Sequence, residues 1–439
     1  MTLVRRVRTL LFATLSLPCV SPTADAQVPV NAADSAASAR RLVGKAVAAL
    51  RAGDTIAAHR GLKSATDVWP TQPAYLWTRA QLAAATHDTN DVVTALTQFV
   101  ALGGSRGLAT DRLLKPWAAS PRLDAVREAL AMNGAPLVRS TVFASLRDSS
   151  IWPEGVTHDA RAKRFFVGSV RHRTIYEHSD TTTRALWPGM PKNVGAILGV
   201  AMDADGAHLW ATTAGIPQMA GYVPADSAIA ALLRVRIADG KIVTRFDLPP
   251  GSDGHTLGDV AVGANGDVFT SDSREPVLYR LRKGSAVLDA YRHPLFRSLQ
   301  GVAPAPDGQH VYVADYSHGL LRLELATGAV TRLADAPSST SLGVDGLVWF
   351  EGSLIGVQNG VAPPRIVRFL LDVSGTRIAR QDVIDRNLAL ADEPTIGVIV
   401  GRSYVYVANS QWDKYDDAGV RAAGSPLAPV LLLAVPLPH

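Results

Sequence analysis

The segment LGVAMDADGAHLWATTA, residues 198–214, carries the pattern that decides the fold. The shared order is one variable position, then Gly or Asp and an aliphatic residue, a predicted turn, and an apolar strand that ends in small or polar residues. Five further segments repeat this order: EGVTHDARAKRFFVGSV from Glu154, GDVAVGANGDVFTSDS from Gly258, QGVAPAPDGQHVYVADY from Gln300, DGLVWFEGSLIGVQNG from Asp345 and IGVIVGRSYVYVANSQW from Ile396. One structural unit therefore occurs six times along the chain.

The spacing of these units predicts the architecture. They begin 42 to 60 residues apart, and short strands at such a period are typical of propeller blades. Asp205-Gly206 and Asn265-Gly266 predict hairpin turns that need positive φ. A propeller ring has to close to remove its free edges, so residues 138–146 are predicted as the outer strand of the last blade, beside residues 429–437. The expected fold class is an all-β six-bladed β-propeller over residues 138–437.

The part of the chain before the blades has a different pattern. Residues 32–133 are rich in Ala and Leu at helical spacing. Gly53-Asp54-Thr55 recurs 34 residues later as His87-Asp88-Thr89, and this period resembles tetratricopeptide repeats. The resemblance implies a smaller N-terminal α-helical domain. Two interpretations of it stay open, a groove for a protein partner and a packing module for the propeller.

The first residues predict export. Arg5, Arg6 and Arg8 precede a short apolar run at 9–17, and Ala24-Asp25-Ala26 forms a small-residue cleavage site. This order is typical of a secretory signal, so residues 1–26 are predicted to be a signal peptide and the protein periplasmic or secreted. The apolar run is too short to cross a bilayer, so no membrane span is expected.

Composition excludes several classes of function. The net charge of +5 is spread along the chain without a Lys/Arg run, so no nucleic-acid partner is expected. The only cysteine, Cys19, falls within the predicted signal peptide. Phosphate-binding glycine loops and a G-x-S-x-G nucleophile motif are both missing from the sequence, which argues against a nucleotide cofactor and a serine hydrolase.

The blade pattern resembles the gluconolactonase/regucalcin (senescence-marker) superfamily over residues 140–437. The resemblance implies a divalent cation in the central channel, held by a Glu, an Asn and an Asp that open three blades. Glu154 and Asp345 match two of these places, and Gln300 stands where the family has Asn. An Asn that the family uses beside the third-blade Asp is Gly258 here, before Asp259, which weakens the sugar-lactone specificity that the resemblance implies.

The residue types support the same chemistry without the family. Glu154, Gln300 and Asp345 occupy the same place in their blades, so they are predicted to converge at one mouth of the channel. Their oxygens suit Ca²⁺ first, with Mg²⁺ or Zn²⁺ as alternatives. Such a cation can activate a lactone or ester carbonyl, with Asp259 or Asp345 as general base. The prediction is a lactonase-like hydrolase of a small molecule in the channel; a non-catalytic binding propeller and an envelope assembly factor stay open.

Three other polar sites have expected roles. His255 is expected on a surface loop beside the third inner strand. Asn359 and Asn409 follow apolar strands and are expected to satisfy backbone groups there. Gln411 and Trp412 are expected to contribute to a pocket wall.

Overall fold

The computed structural model describes residues 35–180, 182–249, 251 and 254–438. The predicted signal peptide lies outside the described residues and stays a prediction. The described chain forms six four-stranded antiparallel sheets and a smaller helical region before them, so the predicted fold class is confirmed. None of the described helices is both long and apolar enough to cross a membrane.

Each sheet is one blade, with its first strand innermost. The first blade contains β2 (Pro153–Asp159), β3 (Arg164–Ser169), β4 (Thr174–Ser179) and β5 (Thr182–Ala185), and the second contains β6 (Ala196–Met202), β7 (His208–Ala214), β8 (Ala230–Arg236) and β9 (Ile242–Asp247). The third contains β10 (Leu257–Val262), β11 (Val268–Asp272), β12 (Val277–Leu281) and β13 (Leu288–Arg292), and the fourth contains β14 (Leu299–Pro304), β15 (His310–Asp315), β16 (Gly319–Glu324) and β17 (Val330–Arg332). The fifth contains β18 (Leu347–Phe350), β19 (Ser353–Gln358), β20 (Arg365–Leu371) and β21 (Ile378–Arg386), and the sixth contains β22 (Gly397–Val400), β23 (Ser403–Val407), β24 (Val430–Pro436) and β1 (Thr141–Leu146). The inner strands contact one another around the whole ring, and β22 contacts β2.

The ring closes as the sequence predicts. In the last blade β24 lies between β23 and β1, with Thr141 opposite Ala434 and Leu146 opposite Val430. The final sheet therefore combines the first strand of the propeller with three strands from its end. This arrangement leaves no unpaired edge between the first and last blades.

Glycine at the start of the inner strands sets the spacing between blades. A Cβ on Gly155 would lie 2.4 Å from the carbonyl oxygen of Leu198 in the next blade. Third-blade Asp259 stands where the other blades have this glycine, and its Oδ2 accepts a hydrogen bond from Val302 N in the fourth blade at 3.1 Å. The side chain therefore bridges two blades at that point.

At the far end of the inner strands, the hairpins to the second strands carry paired charges. Arg280 contacts buried Asp267 through Nη2 at 2.5 Å, and its guanidinium lies 5.9 Å from the ring of Phe269. Arg234 contacts Asp203 at 2.7 Å in the second blade. These acids have a basic partner within their own blade, which lowers the cost of burying them.

The helical region, residues 35–134, contains two helix pairs and a final helix. Its α-helices are α1 (Ser35–Arg51), α2 (Thr55–Val68), α3 (Pro73–Ala85), α4 (Thr89–Ala101) and α5 (Asp124–Gly134). The 34-residue echo has a structural basis, because Asp54 and Asp88 both cap a helix, accepting from Ala57 N and Asp91 N at 2.8 and 3.0 Å. The tetratricopeptide resemblance itself stays a prediction.

The helical region packs on loops that border the mouth of the channel. Trp69 lies against buried His318, with ring centroids 6.4 Å apart at 28°. Ser105 N donates to Ala362 O at 2.8 Å, in the same loop as Asn359. The helical region therefore contacts the fourth and fifth blades at the end of the ring where the inner strands begin.

Candidate functional site

The six equivalent positions that open the inner strands meet in one cavity of about 280 Å³. They are Glu154, Leu198, Gly258, Gln300, Asp345 and Ile396. Asp259, one residue further along its strand, also lines the cavity. The structure thus brings the four residues predicted for the site together from four blades, because equivalent positions in a closed ring face one axis.

The cavity is acidic. Glu154, Asp259, Asp345 and Glu393 line it, and none of the described lining residues is basic. Oxygen atoms without a positive counterpart attract cations and repel anions. The cavity wall therefore has the charge expected of a cation site.

Glu154 and Asp345 each keep one oxygen outside the protein's hydrogen bonds. Trp412 Nε1 donates to Glu154 Oε2 at 2.6 Å, and Asn359 Nδ2 donates to Asp345 Oδ2 at 2.7 Å. Among the described residues, no hydrogen bond engages Oε1 of Glu154 or Oδ1 of Asp345. Each carboxylate therefore has one oxygen fixed and one available.

Gln300 provides the third oxygen of the predicted set. Its Nε2 lies 3.5 Å from Ser298 Oγ, and within the described chain its Oε1 takes no hydrogen bond. Two carboxylate oxygens and one amide oxygen are hard donors that fit a divalent cation. No three carboxylates of the described cavity have oxygens within 4.8 Å of one another, so the donor set is two acids with an amide rather than an acid triad.

The pKa values of the cavity acids are raised by burial and by one another. Desolvation and the charge of Asp345 raise the pKa of Glu154 well above its usual value, against the hydrogen bond from Trp412. Desolvation raises the pKa of Asp345 to about 6, opposed by the hydrogen bond from Asn359. Ionising both acids is costly without a cation, and a bound cation would remove that cost.

Asp259 differs from the other acids in its contacts. Its Oδ1 accepts from Val260 N at 2.8 Å and its Oδ2 from Val302 N at 3.1 Å. Desolvation nevertheless raises the pKa of Asp259 to about 7, because it outweighs these two bonds. The side chain is therefore fixed by the backbone and titrates near neutral pH, which suits an acid-base group better than a cation ligand.

Sequence reasoning missed several lining residues. Glu393 precedes the sixth inner strand by a few residues and accepts from Asp413 N at 3.0 Å. Tyr316 also lines the cavity and donates to Asn359 Oδ1 at 3.0 Å. These residues lie on loops rather than at the repeated strand position, so the blade pattern gives no signal for them. Trp412 lines the cavity, as the sequence suggested.

Two other sequence expectations have different outcomes. The surface-loop prediction for His255 is wrong, because its ring is buried between Asp272 Oδ2 at 2.5 Å and Pro249 O at 2.7 Å. Asn359 and Asn409 do satisfy backbone groups, as expected. Asn359 donates to Pro394 O at 2.9 Å, and Asn409 donates to Pro429 O and accepts from Leu431 N, both at 2.8 Å.

A second acidic group lies far from the cavity, at the hairpin of the second blade. Asp203, Asp205 and His208 bring ligand atoms within 4.8 Å of one another. Arg234 pairs with both aspartates at 2.7 Å, and His208 Nδ1 lies 2.7 Å from Asp205 Oδ2. These ion pairs within the group explain why its ligand atoms lie close together.

No protein-family model matches the chain, and no curated protein matches it. Among solved structures, virginiamycin B lyase from Staphylococcus aureus is similar with a TM-score of 0.44 and 14% identity, over 61% of this chain and 81% of that chain. A catalytically inactive variant of that lyase with quinupristin gives 0.44 and 12%, over 67% and 99%. A streptogramin B lyase gives 0.43 and 12%, over 67% and 97%. The six-bladed architecture is established by this chain's own strand pairing.

Proposed function

We propose that the protein is a divalent-cation-dependent hydrolase of small lactones or esters. The observation that carries the proposal is the set of three available oxygens, on Glu154, Gln300 and Asp345, in an acidic cavity without a described basic residue. The resemblance to lactonase propellers supports the same cation position. Ca²⁺ is the first candidate, and Mg²⁺ and Zn²⁺ are the alternatives.

In this proposal the residues of the cavity have different roles. Glu154, Gln300 and Asp345 would hold the cation, which when bound supplies a Lewis acid that polarises a carbonyl and lowers the pKa of a water molecule. Leu198 and Ile396 are apolar walls that limit the water around a bound substrate. A cavity of about 280 Å³ suits a small substrate.

Asp259 is proposed as the general base. Its pKa of about 7 leaves a substantial ionised fraction at neutral pH, and its hydrogen bonds to two backbone N–H groups fix its position. The attacking water forms a new bond from its oxygen to the acyl carbon and gives a proton to the carboxylate. The acyl C–O bond breaks, Asp259 passes the proton it took to the leaving oxygen, which becomes an alcohol, and the acid product releases the second proton of the water to solvent and becomes a carboxylate.

Asp345 is the alternative base from the sequence. In this proposal it acts instead as a ligand, because Asn359 holds one of its oxygens and leaves the other available. A general base and a cation ligand respond differently to substitution. Asp259→Asn should abolish turnover and keep cation binding, whereas Asp345→Asn should abolish both.

The deciding experiment measures cation binding and hydrolysis on the same protein. Purified protein would be analysed for metal, stripped with chelator, and melted with millimolar Ca²⁺, Mg²⁺, Mn²⁺ or Zn²⁺. A panel of lactones and esters would then be assayed with and without the cation that raises Tm. Glu154→Gln and Asp345→Asn should lose the Tm response, while Asp205→Asn at the outer hairpin should keep it.

The outcomes separate the candidates. A cation-dependent Tm rise with turnover supports the hydrolase. A Tm rise without turnover on any substrate leaves a cation-binding propeller and refutes the catalytic part. No Tm response and no bound metal refute the proposal, and the non-catalytic binding protein then takes its place.

The proposed site of action is the periplasm or the medium. This part rests on the predicted signal peptide and no other observation. The mature protein is expected to begin at or near Gln27, which N-terminal sequencing of exported material would test. Recovery of a cytosolic protein that still begins at Met1 would refute it.

A further inference from the structure

The loop between β23 and β24, residues 408–429, contributes Trp412 to the wall of the cavity. It is tied down at one end of the cavity, where Lys414 Nζ pairs with Asp392 Oδ2 at 2.8 Å. Asp413 N donates to Glu393 Oε2 at 3.0 Å. Ser410 N also donates to Glu393 O at 3.0 Å, so the loop is joined on both sides of Trp412 to the segment that leads into the sixth inner strand.

Trp412 is held by aromatic packing as well as by the loop. Its ring lies edge-on to Trp152, with centroids 4.9 Å apart at 76°. Tyr415 stacks on the same Trp152 at 3.9 Å and 21°. The indole therefore has little freedom, and its Nε1 donates to Glu154 Oε2 at 2.6 Å from a fixed position.

We infer that Trp412 is a positioning residue that sets the cation selectivity of the site. Its N–H engages one oxygen of Glu154 and so presents the other oxygen alone to the cation. The inference rests on the proposed function, because it requires a cation at Glu154. The blade pattern does not predict this role for Trp412, and the three cation ligands by themselves do not determine which cation binds most tightly.

The physical basis is the way in which different ions use carboxylates. Ca²⁺ takes six to eight oxygens and readily accepts both oxygens of one carboxylate, whereas Mg²⁺ requires a near-octahedral set. The donor hydrogen of Trp412 places positive charge beside Oε2, which disfavours a cation bound to both oxygens of Glu154. One-oxygen binding by Glu154 therefore reduces the preference for Ca²⁺ that the oxygen ligands alone would give, and raises the relative affinity for smaller, octahedral ions.

The test is Trp412→Phe, which keeps an aromatic wall and removes the N–H donor. Loss of a partner that orients a ligand typically lowers metal affinity about 10- to 100-fold. We expect a loss in that range for Mg²⁺ and Mn²⁺ and a smaller loss for Ca²⁺, which can then bind both oxygens. Affinities would come from Tm shifts against cation concentration. Tryptophan fluorescence provides a second readout, since cation binding at Glu154 should change Trp412 emission.

Trp152→Phe is the matched control. It makes the same change in a neighbouring ring whose Nε1 has no hydrogen-bond partner among the described residues. This variant should keep both the order of cation affinities and the fluorescence response, even where its Tm without cation falls. Trp412→Phe should lose the response.

Each outcome bears on one claim. An equal loss for all cations in Trp412→Phe, or no loss for any, overturns the selectivity role while the proposed function stands. A shift in selectivity that Trp152→Phe shares attributes the effect to packing and overturns the role of the N–H. Absence of cation binding in the wild-type protein refutes the proposed function instead, and is seen before any variant is made.

Discussion

The two ends of the inner strands hold carboxylates in opposite surroundings. At the hairpin end, Asp267 contacts Arg280 at 2.5 Å, and hydrogen bonds from Lys283 N and Arg280 outweigh its burial and lower its pKa. At the mouth, Asp259 and Asp345 face no described basic residue, and burial raises their pKa values to about 7 and about 6. The same residue type therefore stabilises the fold at one end and costs stability at the other.

This difference shows which acids the fold needs. A hairpin carboxylate that is paired with an Arg of its own blade, as Asp203 and Asp267 are, is explained by stability alone. A group of acids that raise one another's pKa is not, because the empty cavity would be more stable with neutral side chains. The contrast is the physical reason to place function at the mouth.

The largest expected effect is at the hairpin end. Arg280→Met should destabilise the protein by about 3 kcal/mol, because it leaves a buried charge on Asp267 without its partner. Urea unfolding of the wild type and the variant would measure the change. The double variant with Asp267→Asn should recover most of the loss. A loss below about 1 kcal/mol would mean that the hairpin acids are not stabilised by pairing.

At the mouth of the channel, removing a carboxylate is expected to raise the free energy of unfolding. Asp345→Asn should stabilise the cation-free protein by about 2.8 kcal/mol at pH 7, because a carboxyl with a pKa near 6 in the folded state and near 3.9 in the unfolded state opposes folding once both are ionised. The gain should be small at pH 4 and grow as the pH rises to 7. A destabilised variant at pH 7 in the presence of chelator would contradict this account.

A buried base extends the comparison to the contact between helical region and propeller. Burial, with the charges of Arg40, Arg297 and Arg332, lowers the pKa of His318 to about 3. The unfolded chain then binds a proton below pH 6.5 that the folded chain does not, so stability should fall as the pH drops through 6.5 toward 3. At pH 5.5 the expected loss is about 1.4 kcal/mol.

The measurement is the difference between the wild type and His318→Phe from pH 7 to pH 4. The variant keeps a ring against Trp69 and removes the titrating group, while the cavity acids titrate equally in both proteins. The wild type should lose stability relative to the variant as the pH falls. Parallel curves for the two proteins would show that this contact does not respond to pH.

The smallest effect is expected at an exposed pair. Lys63 and Asp67 lie 3.4 Å apart on α2, with more than half of each side chain exposed. Lys63→Ala should change stability by less than about 0.5 kcal/mol, since solvent screens such pairs. A larger effect would show that exposed ion pairs also stabilise this protein. Pairing with Arg would then no longer distinguish the buried acids of the hairpins from acids elsewhere.

The sequence predicted what the repeat specifies. The six blades, the closing strand at 141–146 and the meeting of Glu154, Gln300 and Asp345 all follow from equivalent positions in a ring. The backbone bonds of Asp259 do not, because they need room for a side chain between the third and fourth blades, whereas the glycines at the same place in other blades lie too close to the next blade for a Cβ. Trp412 was expected only as part of a pocket wall, and its bond to Glu154 was not. Glu393 gave no signal in the sequence, because it lies on a loop outside the repeated segments.

The closing strand also determines when the propeller can finish folding. β1 ends at Leu146, and its partner β24 begins at Val430, about 280 residues later in synthesis. At roughly 5–20 residues per second, β1 waits for its partner on the order of 15–60 seconds. During that interval both β1 and the growing stack of blades present open edges, which can pair with other chains. The ring therefore closes only after residues 430–436 have been made, and its yield depends on how well those edges are kept from pairing with other chains until then.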